Sequence, residues 1–247
     1  NWSEGVVPDE LSNVIIINAT NDAVATDVDV KSITIEPVGK LTVSGTMTLD
    51  GGNSGLILKS NADGCGSLIH SGSVSATVQS YLTKYLDQQD DMYHFLSSPV
   101  AAQPISPQFS DPPNNATSDF YKFDEASYMW INFRSGDGTE INPAFESNFS
   151  VGRGYLVAYP VDVTKTFSGV LNSGTLATGT GLPALTNAGS TDPGWNLIGN
   201  PYPSAIDWDN VVVSQYSDLE NAVYVYDNAS STYYSYVDGV GSLTDGI

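Results

Sequence analysis

Two histidines, His70 and His94, and a single cysteine, Cys65, are the only imidazole and thiol groups in this chain. Nucleophilic catalysis needs a base beside the nucleophile. Both histidines fall in segments that read as ordinary strand, so no Ser-His-Asp site is expected. Zinc is no better served, because neither H-E-x-x-H nor C-x-x-C occurs. Gly152-Arg153-Gly154 precedes a strand rather than a helix and so does not read as a phosphate cradle. Cys65 has no partner for an internal disulfide and is expected to pack as a small buried hydrophobe.

Carboxylates are plentiful: 28 Asp and Glu stand against 8 Lys and Arg, a formal net charge of −20. Glycosidases need only two carboxylates, so a β-helix enzyme that degrades polysaccharide is an alternative class. Its groove would need cations, yet residues 13–82 hold only Lys31, Lys40 and Lys59, and the reading is of a non-enzyme. Hard oxygen ligands make calcium conceivable at Asp22, Asp27 and Asp29, at Asp87, Asp90 and Asp91, or at Asp207 and Asp209. None of these matches an EF-hand loop, and no cofactor is expected. The charge also repels polyanions, which excludes nucleic acid as a partner. No run approaches the ~18 apolar residues of a membrane-spanning helix.

Aromatic faces beside polar side chains could bind sugar. The candidates are Tyr128 and Trp130, Trp208 between Asp207 and Asp209, and Tyr234 within the run Tyr233-Tyr234-Ser235-Tyr236. Tyr128 and Trp130 share a face if they lie in one strand. Core packing is the competing role for each tryptophan, and Trp195 is expected to be buried.

The elements that must position these residues are strands. Only 15% of residues are charged, while Gly, Pro and Tyr supply turns and pleated surface. Residues 13–82 break into short alternating pieces separated by glycines, with Ile33, Leu41, Leu49 and Ile57 eight apart. Such pieces suit a right-handed parallel β-helix of about three coils, whose open end the C-terminal part of the chain must cap. Residues 83–247 have longer strands and an internal repeat. Tyr93-His94-Phe95-Leu96-Ser97-Ser98-Pro99 matches Trp195-Asn196-Leu197-Ile198-Gly199-Asn200-Pro201. Phe120-Tyr121-Lys122-Phe123-Asp124-Glu125-Ala126-Ser127 matches Val223-Tyr224-Val225-Tyr226-Asp227-Asn228-Ala229-Ser230. The expected architecture is therefore all-β: a short β-helix over 1–82, then a duplicated antiparallel, jelly-roll-like β-sandwich over 83–247. The first copy closes with Gly152-Arg153-Gly154-Tyr155-Leu156-Val157-Ala158, which has no counterpart in the second. That gap and the missing initiator methionine suggest an excerpt of a longer chain.

Asn1-Trp2-Ser3, Val7-Pro8, Asn13-Val14-Ile15-Ile16, Leu41-Thr42-Val43, the two Pro-ended motifs and Gly152-Arg153-Gly154-Tyr155 together resemble large secreted surface proteins of Bacteroidota. In that group similar segments lie ahead of a type IX secretion sorting domain. The resemblance implies export and an extracellular or cell-surface location, and carries no activity. The expected function is a structural or adhesive module that could self-assemble, with other copies or domains of the same surface protein, or a polysaccharide, as partners. A carbohydrate-binding module is the alternative.

Overall fold

The computed structural model describes residues 6–85, 93–110, 118–136, 138, 140–176, 185–187, 194–211, 220, 222–227 and 230–241. Among them the only helical turns are the short 3-10 segments Gly52–Ser54 and Trp208–Asn210; the rest of the regular structure is strand.

The first part is a β-solenoid of about three coils. Asn13–Ile16, Ser32–Ile35 and Leu56–Leu58 stack in parallel, and Leu56–Leu58 also runs parallel to Ser75–Leu82. A second face stacks Ala23–Ala25, Lys40–Val43 and Ser67–His70. A third pairs Val28–Val30 with Met47–Leu49. Because side chains alternate across a strand, in-register stacking turns the apolar positions into ladders. Ile16, Ile35, Leu58 and Val78 form one, and Leu41 with Leu68 another, all buried. The spacing of eight counts faces, not one ladder: Ile57 points half outward while Leu56 and Leu58 fill the interior. Corners are tight. At Gly39 a Cβ would lie 2.7 Å from the Ile16 carbonyl oxygen, so only glycine turns there without displacement.

Parallel stacking stops where Ser75–Leu82 meets Val163–Val170, which is antiparallel and pairs along its full length from Ser75↔Val170 to Leu82↔Val163. The edge of the second face is covered too, since Leu68 N donates to the Pro203 carbonyl at 2.9 Å. The solenoid and the C-terminal part thus share a sheet. They also share a core: Phe167 meets Phe109 and Phe149, which in turn packs on Phe120 and Tyr155.

Where the sequence predicts a duplicated sandwich, the described residues form two antiparallel sheets. One orders His94–Leu96, Tyr155–Ala158, Asp119–Asp124 and Met129–Asn132; the other orders Ala222–Asp227, Thr232–Val237 and Val240–Gly241. Their hairpins are two castings of one mould. In each, a serine donates its N–H and hydroxyl to an aspartate three residues back: Ser127 to Asp124 and Ser230 to Asp227, with N–H distances of 3.1 and 3.0 Å. The next residue along, Tyr128 or Ser231, has φ of +54° or +53°. The Ser-Pro and Asn-Pro turns match as well, Val100 N donating to Ser98 Oγ and Tyr202 N to Asn200 Oδ1.

Cys65 is exposed, contrary to the expected burial. It sits in a hairpin of Ser60–Asn61 and Gly64–Cys65 within the third coil, its Sγ 3.1 Å from Ser60 Oγ and its carbonyl accepting from Val38 N.

Candidate functional site

The two hairpins sort their side chains into the same two faces. Phe120 and Phe133 point inward in the first copy and are each 1% exposed. Tyr121, Phe123 and Trp130 alternate with them and point outward. Phe123 lies at the centre of an edge-to-face trio, 5.5 Å from Tyr128 and 5.3 Å from Trp130. The equivalent outward positions of the second copy are Tyr224, Tyr226 and Tyr233. Tyr226 and Tyr233 repeat the Phe123–Trp130 cross-strand pair at 5.0 Å, and Trp195 packs on Tyr224 at 4.9 Å. Each repeat therefore carries an outward aromatic strip on a rigid hairpin.

Tyr128 lies in the turn ahead of Met129–Asn132 rather than in a strand with Trp130, and the two rings meet through Phe123 between them, both partly exposed. Two further candidates lie apart from this pair. Trp208 is only 7% exposed, in a 3-10 turn capped by Asp207, whose carboxylate accepts from Asp209 N and Asn210 Nδ2; a buried indole offers a ligand no face. Tyr234 stands opposite Val225 on the inward side of its sheet, away from Tyr233. Trp195, expected in the core, is 47% exposed. Tyr233 belongs to the run that the sequence singles out, whereas Trp195, Tyr224, Tyr226 and Phe123 are not among the sequence candidates. The signal was present, since Trp130 and Tyr233 both lie six residues beyond the turn aspartate.

Behind the first strip lies a polar network. Glu146 accepts from Lys122 Nζ at 2.6 Å and from the Tyr155 hydroxyl at 2.7 Å, with Arg153 Nε 3.6 Å away. Tyr155 OH in turn accepts from Ser150 N. Burial alone would push the Glu146 carboxyl up, but the hydrogen bonds from Lys122 and Tyr155 outweigh it and hold the group below its ordinary range. Burial also pushes the Tyr155 hydroxyl up. Lys122 and Tyr155 both donate to Glu146, and this braces the start of the strand Tyr155–Ala158. A second brace crosses between copies: buried Glu125 accepts from Gly194 N at 2.9 Å and Thr186 Oγ1 at 2.7 Å.

The acidic loops serve as turn caps and strand braces. Asp27 accepts from Thr46 N and Oγ1, Asp22 pairs with Lys40, and Asp209 accepts from the Tyr236 hydroxyl. Asp87, Asp90 and Asp91 lie outside the described residues. Among the described residues, no three His, Cys, Asp or Glu side chains are grouped to hold a metal ion. His94 Nε2 is engaged with Thr83, and half-buried His70 extends the inward ladder above Val43, where burial lowers its basicity.

Fold and surface together define a capped β-solenoid bearing two repeated aromatic hairpins. The chain belongs to the family described as "Domain of unknown function (DUF8693)", whose profile matches residues 1–240. No curated protein and no solved structure matches it.

Proposed function

We propose that the chain is a non-catalytic adhesive or structural module of a large exported bacterial surface protein. The supporting observation is the outward aromatic pair carried at matched positions of both hairpins, Phe123 with Trp130 in one and Tyr226 with Tyr233 in the other, extended by Tyr128 beside the first and by Trp195 on Tyr224 beside the second. Large aromatic side chains left exposed on a braced scaffold are what contact surfaces use. The acidic, lysine-poor surface suits a medium outside the cell. The resemblance to Bacteroidota surface proteins, with export by the type IX route, points the same way.

A polysaccharide is the ligand these strips favour, as a carbohydrate-binding module would use them. The test is retention on immobilised plant, algal and bacterial polysaccharides. Selective retention that falls at least tenfold in Trp195→Ala or Trp130→Ala, with the fold intact by circular dichroism, supports the sugar reading. Retention unchanged in both variants removes it. Binding to no glycan leaves adhesion to protein or to other domains of the same surface protein, and a protein that also stays monomeric at high concentration counts against self-assembly.

A further inference from the structure

The outward face of the first sheet carries more than its aromatic strip. Phe95, Leu156, Tyr121 and Asn132 stand side by side, in register, across all four strands. Phe123 and Trp130 lie to one side of this row, and Asp119 and Arg134 to the other, since residues two apart share a face. The hydroxyls of Tyr93 and Tyr121 both donate to Asp119, at 3.1 and 3.5 Å. Asn132 Oδ1 accepts from Arg134 N at 2.9 Å, and Arg134 Nη2 donates to the Ser118 carbonyl at 2.9 Å. Burial and the Asp119 charge push the Tyr121 hydroxyl up, while the Asn132 amide and the Arg134 guanidinium pull it back, so all three side chains converge on that phenol. Asp119, Tyr121, Asn132 and Arg134 are each partly exposed.

The repeat separates the two ends of this face. Counted from the turn aspartates Asp124 and Asp227, the aromatic pair recurs as Tyr226 and Tyr233, but Asp119, Asn132 and Arg134 become Ala222, Ser235 and Val237. The second hairpin nevertheless keeps the same turn and the same register. A hairpin of this kind therefore forms without the polar end. The chemistry of that end suits vicinal hydroxyls, which donate and accept at once: Asp119 supplies acceptor lone pairs beside the donors of Asn132 and Arg134. One carboxylate and one guanidinium cancel, and Lys122, the hairpin's other cation, turns inward to Glu146. An acidic sugar would instead meet Asp119 and the field of a chain with net charge −20.

We infer that the Asp119, Asn132 and Arg134 cluster reads the hydroxyls of an uncharged polysaccharide chain that stacks on Trp130. This rests on the sugar reading of the aromatic strips and assigns the class of ligand within it. From Phe123 to Asp119 the strand rises about 13 Å. That is longer than one sugar ring, so the ligand is an oligomer rather than a monosaccharide. The second strip, aromatic but without the polar end, adds contact and little selectivity.

The test measures retention of the whole protein on immobilised xyloglucan, galactomannan and dextran, all uncharged, and on acidic alginate and basic chitosan, at low and high salt. Retention on at least one uncharged polymer, insensitive to salt, is expected. A soluble oligosaccharide of that polymer should compete, and its monosaccharide should not. Asp119→Asn and Asn132→Asp preserve side-chain size and one acceptor oxygen. Each should weaken retention about tenfold, the worth of one charge-assisted hydrogen bond, with the fold intact by circular dichroism. If Trp130→Ala loses retention while both of these variants bind as wild type, the strip still binds sugar and the inference falls. Equal competition by the monosaccharide, or salt-sensitive retention on alginate or chitosan alone, overturns it too. Retention on no polymer overturns the inference and the sugar reading together.

Discussion

Glu146 shows how a single side chain can tie stability to acidity. Its folded carboxyl titrates below the ordinary value of 4.5. Its contribution is therefore complete above that value and is lost as pH falls through the lower folded one. Acid unfolding of the wild type should cost stability below about pH 4.5 that Glu146→Gln never had, so the difference between them shrinks as pH drops; a pH-independent difference contradicts this. At Cys65, exposure predicts modification of the native protein by a maleimide without denaturant. Protection of the thiol until unfolding would put it back inside. The sequence was poor at this scale, for physical reasons. Residue type points Cys65 inward, but in its two-residue hairpin strand Cys65 faces out while its partner Ser60 takes the buried side. Trp208 takes the core-packing role that competes with sugar binding, but Trp195 is exposed where burial is expected, because burial depends on which side of a turn faces the core, and composition does not specify that. Lys122 and Glu146 are 24 residues apart and belong to no motif, so nothing local announced their pairing.

Strands of the solenoid were legible because each carries its own alternation, and the ladders form once coils stack. Ile35→Ala removes a fully buried side chain between Ile16 and Leu58 and should cost about 2–5 kcal/mol in denaturant unfolding. A cost under about 1 kcal/mol would mean the coils are not stacked as described. The repeated hairpins were legible too, because Asp124 with Ser127 and Asp227 with Ser230 recur in sequence and then in geometry. Hidden from the sequence was the antiparallel partner of Ser75–Leu82. Val163–Val170 lies far along the chain, and pairing over such a separation leaves no local pattern. Gly154 gained its explanation only from the fold. A Cβ there would come within 2.8 Å of the Ile198 carbonyl oxygen, where the second copy crosses the first at the Arg153↔Ile198 bridge. Gly154→Ala should destabilise by roughly 1–3 kcal/mol through that forced separation, while Gly136→Ala, with open space around it, serves as the neutral comparison.

Across the molecule, the continuous core and the shared sheet predict that solenoid and first hairpin sheet melt together. Calorimetric and van't Hoff enthalpies should agree for them, and Phe167→Ala should lower one common transition. Two separable transitions would show that the joint is weaker than its packing. Leu82 and Val163 stand directly opposite one another at the end of their ladder. Everything from residue 83 to residue 162 thus leaves the solenoid and returns to it at one spot, like a cartridge seated in a socket. A lineage could lengthen or trade the outer parts of that cartridge without rerouting a single coil, as long as Phe109 and Phe149 still cover Phe167. Relatives would therefore be expected to vary most in what is plugged in and least in the socket.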